Sequence, residues 1–167
     1  GPDRAIEIAR RAGITLKIAA KVDAADKEYF DACIRPLLDG PYVEFIGEIS
    51  DAEKNDFYGN AMALLFPIDW PEPFGLVMIE SMACGTPVIA WRNGSVPEII
   101  DDGVTGRIVD SLDEAVAAIG EVVRYDRTAV RRRFEERFDA RRMAADYVSL
   151  YEQLQTVDFT LTMPQEV

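Results

Sequence analysis

A layered α/β fold built on a parallel sheet is predicted by two features of this sequence. Short apolar runs alternate along most of the chain with longer segments of helical periodicity. One of those runs, residues 61–66, is apolar without alternation, the pattern of a strand covered on both faces. Bulk composition agrees, since 167 residues with 49% hydrophobic and 29% charged content suit one globular domain with a sizeable core.

Each element has its own signal. Residues 3–12 carry Ala5, Ile6, Ile8, Ala9 and Ala12 at helical spacing and stop at Gly13. Residues 15–20 form a short strand. Residues 24–38 place Phe30, Cys33, Ile34, Leu37 and Leu38 on one helical stripe, with Pro36 implying a kink or an early end. A strand over 42–46 is followed by Gly47. Ser50 and Glu53 have capping-box spacing for a helix running to about Tyr58. After the 61–66 strand, Pro71 and Pro73 stiffen a turn and Gly75 frees the backbone. Residues 76–84 are then so apolar that a helix buried on most sides is expected. A strand over 87–91 and a helical turn over 96–100 come next. Asp102, Gly103 and Gly106 then lead through a tight turn into a strand over 107–109. Ser111 and Glu114 repeat the capping-box spacing ahead of a helix expected to bury Leu112, Ala115, Val116, Ile119, Val122 and Val123. Two helices, 128–138 and 140–154, close the pattern, the second with Met143, Tyr147, Leu150, Tyr151 and Leu154 on one stripe. The domain is thus assigned to 1–155, and 156–167 to a disordered tail.

The formal charge of −12 argues against a nucleic-acid or anionic-membrane partner. It also requires that any polyphosphate ligand be held by local donors. With no histidine and only two cysteines, a structural zinc site is not expected. Cys33 and Cys84 lie in apolar helical contexts and read as buried free thiols of a reducing compartment. A signal peptide and a membrane-length apolar run are both lacking, which suits a cytoplasmic location. No Asp-x-Asp pair stands where it would hold a divalent ion, so neither metal nor cofactor is expected. Arg131, Arg132 and Arg133 are followed by Glu135, Glu136 and Arg137, the alternation of a solvated helix face.

The informative stretch is 69–87. Glu72 and Glu80 flank the start of its helix, where free N–H groups and the positive dipole end can seat an anion. A diphosphate on those N–H groups, with hydroxyls donating to the carboxylates on either side, suits a sugar nucleotide. The competing reading is an arginine partner for Glu80 and a solvated loop position for Glu72. Ligands of open parallel sheets bind beyond the strands' carboxyl ends. That rule groups Lys21, Gly47 and Glu48, 67–75 and 92–95 as one rim.

Glu72-Pro73-Phe74-Gly75 followed by Glu80 resembles the Glu-x7-Glu motif of retaining glycosyltransferases with the GT-B fold, family 4. The segments 81–90, 94–98 and 102–106 are similar to the same family and occur in its order. The resemblance implies a Rossmann-like parallel sheet flanked by helices, the C-terminal half of a GT-B fold, binding a nucleotide-sugar donor as substrate. It implies Glu72 as the catalytic-site carboxylate on the transferred sugar and Glu80 as acceptor from the ribose diol. It also implies the backbone of Phe74, Gly75, Leu76 and Val77 at the sugar and diphosphate, the Ile46-Gly47 edge at the base, and Lys21 near ribose or base. Trp70 would close over the sugar or serve as packing. Ser95 departs from the second glycine of the family's Gly-Gly-x-Pro-Glu loop.

The family also places a basic pair and a central strand just upstream of the position of Gly1-Pro2, and an acceptor domain before them. On that reading the chain lacks its first strand and the acceptor domain, and alone is expected to be inactive in transfer. The strands at 15–20 and 61–66 would then pair directly, take a strand from a second chain through self-association, or be bridged by an upstream segment. Two other readings stay open: a non-catalytic nucleotide-binding or interaction module, and a sugar-nucleotide epimerase fragment, the latter weakened by the absence of histidine.

Overall fold

The computed structural model describes residues 1–156. Helix α1 (Pro2–Ala12) starts on proline and ends where Gly13 turns left-handed, φ 66°, its N–H reaching Ala9 and Arg10 carbonyls. Strand β1 (Leu16–Ala19) pairs in parallel with β2 (Val43–Gly47), Leu16 opposite Val43. A second parallel sheet has the order β3 (Leu64–Phe66), β4 (Val88–Trp91), β5 (Gly106–Val109). Helices α3 (Asp51–Gly59), α4 (Leu76–Ala83), α5 (Val96–Ile99), α6 (Leu112–Val122), α7 (Arg127–Phe138) and α8 (Ala140–Thr156) complete the α/β architecture.

Strand β4 is the axis of the core. Val88 and Ala90 point to one side, among Met78 and Met82 of α4 and Val130 of α7. Ile89 points to the other, among Ile8 of α1 and Ala115, Ile119 and Val122 of α6. The strand's period of two thus feeds two apolar layers at once. Gly106 is what lets β5 lie against it, for a Cβ there would stand 2.0 Å from the Val88 carbonyl oxygen.

Several expectations are corrected. Residues 24–37 are no regular helix but a 3₁₀ turn (Ala24–Asp26), one α-turn α2 (Lys27–Tyr29), a π-turn (Phe30–Ile34) and another 3₁₀ turn (Arg35–Leu37). Pro36 has no N–H to continue an α-helical ladder, and the windings before it change accordingly. Of the stripe expected there only Ile34 is buried, and Cys33 is an exposed free thiol rather than a buried one. Val123 is exposed because α6 ends before it, and the α8 stripe of Met143, Tyr147, Leu150, Tyr151 and Leu154 faces outward. Strand β3 is shorter than expected and half-buried. The tail expected from 156 lies, past Thr156, outside the described residues.

The half-burial of β3 has a visible cause. Strands β1 and β3 belong to different sheets and do not pair. Between them runs a groove of about 560 Å³, lined by Leu16, Ile46, Ala63, Leu65 and Val122 among others. Direct closure of the two strands is therefore not what this chain adopts.

Gly106→Ala is expected to lose about 2–3 kcal/mol of stability, because the clashing partner is backbone and cannot rotate away. Gly120→Ala, inside α6 with nothing within 4 Å of the added carbon, is expected to gain about 0.5–1 kcal/mol. Urea unfolding midpoints at unchanged slope measure both.

Candidate functional site

Helix α4 begins at the carboxyl end of β3, at the rim of the larger sheet. Its entry is set by glycine: Gly75 is left-handed at φ 76°, and a Cβ would come within 2.6 Å of the Met78 methyl carbon and 3.3 Å of Glu72 Cγ. Glu72 folds back so that its Oε1 accepts from the Gly75 N–H at 3.1 Å. A carboxylate of the chain itself thus sits at the N-cap of this helix, where the dipole favours it.

A second loop clamps the first. Gly94, at φ 51°, approaches so closely that a Cβ would lie 2.4 Å from Glu72 O and 2.5 Å from Glu72 N. The Ser95 N–H donates to Glu72 O at 2.9 Å, and Ser95 Oγ donates to Phe74 O at 2.8 Å. Ser95 is therefore a buried tie between the two loops. The Phe74 ring meets Phe138 of α7 edge-on at 6.3 Å.

Glu80 sits one turn into α4. Its side chain keeps 33% exposure, so it lies at the surface rather than in the interior. Lys54 Nζ donates to its Oε1 at 3.0 Å and the Tyr58 hydroxyl to its Oε2 at 3.2 Å. The partner is thus a lysine from α3, not an arginine. Sequence reasoning missed both donors. Their signal was the i,i+4 spacing that puts Lys54 and Tyr58 on one face of a capped helix. The capping half supplied by Glu53 is present, its Oε2 accepting from the Ser50 N–H at 2.8 Å. Asp51 and then Glu80 hold the Lys54 ammonium well above its ordinary pKa. Burial, then the Glu80 charge, pushes the Tyr58 phenol up to about 12, so it remains a donor across the physiological range.

The remaining expected site residues are divided. Leu76, at 63% exposure, and Val77 stand at the open start of α4, so this helix is not buried on most sides as expected; Met78, Ser81 and Met82 carry its buried face. Ser81, polar in an apolar helix, donates to Thr86 O at 3.0 Å. Gly47 ends β2 at φ 77° and Ile46 lines the groove between the sheets. Lys21 is exposed and pairs with Asp23 at 3.1 Å. These three lie at the ends of β1 and β2, apart from the α4 cluster in sheet membership. Trp70 is half-exposed.

The far end of α4 is held by α7. Arg131 donates to Ala83 O, and Arg127 to Cys84 O, Gly59 O, Ala61 O and Thr86 Oγ1. Arg133 pairs with Asp101 at 3.2 Å. The basic run is consequently not a purely solvated face, since Arg131 and Arg133 reach into neighbouring elements. Among the described residues, no group of three or more Asp, Glu, Cys or His could hold a metal ion, and no helix is long and apolar enough to cross a membrane.

Comparison with known proteins shows the family and the fold. A family model described as "Glycosyl transferases group 1" matches residues 1–138. D-inositol 3-phosphate glycosyltransferase of Corynebacterium kroppenstedtii is 38% identical over 86 residues, 52% of this chain and 19% of that protein. A probable sucrose-phosphate synthase of Thermosipho melanesiensis is 39% identical over 84 residues, 48% of this chain and 20% of that protein. Among solved structures, a glycosyltransferase involved in avilamycin A biosynthesis superposes with a TM-score of 0.78 at 27% identity, covering 95% of this chain and 49% of that one. The matches thus span about a fifth of these curated relatives and about half of that solved chain.

Ser95→Ala is expected to cost about 1 kcal/mol, the loss of one part-buried hydrogen bond. Gly94→Ala should cost more, since its added carbon meets only backbone and its φ disfavours a side chain. Thermal unfolding of the two variants side by side checks this order.

Proposed function

As this chain belongs to the glycosyl transferases group 1 family, we propose that it is the donor-binding domain of a glycosyltransferase that moves a hexosyl group from a nucleotide sugar with retention and without a metal. The observation that carries the reading is the placement of Glu72 and Glu80 on either side of the α4 start, at the carboxyl-end rim of β3 and β4. The start of α4 supplies N–H donors and a positive dipole end for the diphosphate. Glu80 accepts from the ribose hydroxyls, and Glu72 from hydroxyls of the transferred sugar. The backbone of 74–77 faces the sugar and diphosphate, while Ile46, Gly47 and Lys21 belong to the side that meets the base and ribose. Positive charge growing on the anomeric carbon in an oxocarbenium-like transition state is met by the Glu72 region. The departing diphosphate is stabilised by oriented N–H groups.

The acceptor is bound by a part of the longer protein outside this chain, in keeping with the half coverage of its solved relative. A cytoplasmic location and self-association through the open strand edges belong to the same reading. Binding of free nucleotide is weak, because the net charge of −12 repels a polyphosphate.

Calorimetry with UDP, GDP and ADP is expected to show binding at millimolar concentration by at least one, unchanged by EDTA. Silence from all three refutes the reading. Glu80→Gln should weaken nucleotide binding by about 1.5–3 kcal/mol. Glu72→Gln should spare the free nucleotide and weaken only the sugar nucleotide. Equal behaviour of the two variants refutes the division of roles.

A further inference from the structure

We propose that Lys54 and Tyr58 are positioning residues that orient the Glu80 carboxylate for a vicinal diol and thereby make the site select ribose over 2′-deoxyribose. The inference rests on the reading of Glu80 given above and assigns work to two residues outside the Glu-x7-Glu motif.

The carboxylate arithmetic is the core of it. An ionised carboxylate has about four lone-pair directions, two on each oxygen. Lys54 takes one on Oε1 and Tyr58 takes one on Oε2. Each oxygen is left with one acceptor direction, and the residue keeps a third of its surface open. Two hydroxyls on adjacent carbons are the ligand that uses both directions at once. A single hydroxyl uses only one.

Both donors are themselves held. Lys54 is fixed from its other side by Asp51 at 3.0 Å. Tyr58 is anchored through its backbone, whose carbonyl accepts from Thr86 Oγ1 at 2.6 Å, and Arg127 donates to the same hydroxyl and to the neighbouring Gly59 carbonyl. Helix α3 is thus tied to the turn after α4. Without these donors the glutamate side chain could rotate about its χ angles, and a diol would have to order it on binding.

The test compares ribo- and 2′-deoxyribonucleoside diphosphates of whichever base binds tightest among UDP, GDP and ADP. The chain as it stands is expected to prefer the ribonucleotide by about tenfold or more, the worth of one charge-assisted hydrogen bond. Tyr58→Phe and Lys54→Met should each cut that preference to about threefold or less, by weakening the ribonucleotide while leaving the deoxynucleotide nearly unchanged. Two variants are used so that a folding defect in one, detected by thermal unfolding, does not decide the outcome. A merely structural role would weaken both ligands equally and leave the ratio intact, and that result overturns the proposal. No ribose preference in the unmodified chain overturns instead the assignment of Glu80 to the diol. Failure to bind any nucleotide overturns the functional reading as a whole.

Discussion

The structure depends on finding partners for the polar groups of one apolar helix. Helix α4 must sink Met78, Ser81 and Met82 into the core, yet it brings an open N-terminus, a serine, a glutamate and a set of C-terminal carbonyls with it. Each finds a partner in a different part of the chain. Glu72 and the 92–95 loop hold the entry, Thr86 takes Ser81, α3 takes Glu80, and the arginines of α7 take the exit. A buried polar group left without such a partner costs more than a typical hydrogen bond contributes. The elements around α4 are therefore arranged by its needs, and the candidate site lies where they converge.

This arrangement makes the site partly self-liganded. The Gly75 N–H is bound to Glu72, and both oxygens of Glu80 already have donors. A ligand thus adds to or exchanges with bonds in place rather than filling bare positions. Such a site is preorganised, which lowers the ordering cost of binding.

Local chemistry was the part of the fold legible in the sequence. Gly13, the Ser50 and Glu53 spacing, the apolar run of β4 and the glycine before α4 each announce a structure that a few neighbouring residues decide. The turn and helix of 72–80 were legible for the same reason, since they form one continuous segment. Long-range partners were not. That Lys54 meets Glu80, or that Ser95 bonds Phe74, follows from how α3 and the 92–95 loop pack, which periodicity does not encode. The stretch 24–37 misled because its apolar spacing is helical while Pro36 changes the winding. Strand β3 misled because an apolar run reports what a strand could bury, not what stands beside it.

The groove between β1 and β3 carries a consequence for how the chain comes apart. Both large buried clusters are built on β3, β4 and β5 with α1, α4, α5, α6 and α7, and no residue of β1 or β2 belongs to either. With no ladder crossing the groove, the hydrogen bonds of β1 and β2 can open without breaking those of the larger sheet. The β1–β2 pair thus forms the smaller unit, outside both clusters, and is expected to open at the lower free energy. The Ile46-Gly47 edge rides on that weaker unit, whereas Glu72 and Glu80 ride on the stronger. Any ligand that touches both acts as a clasp, raising the opening energy of the smaller unit by the share of its affinity spent there.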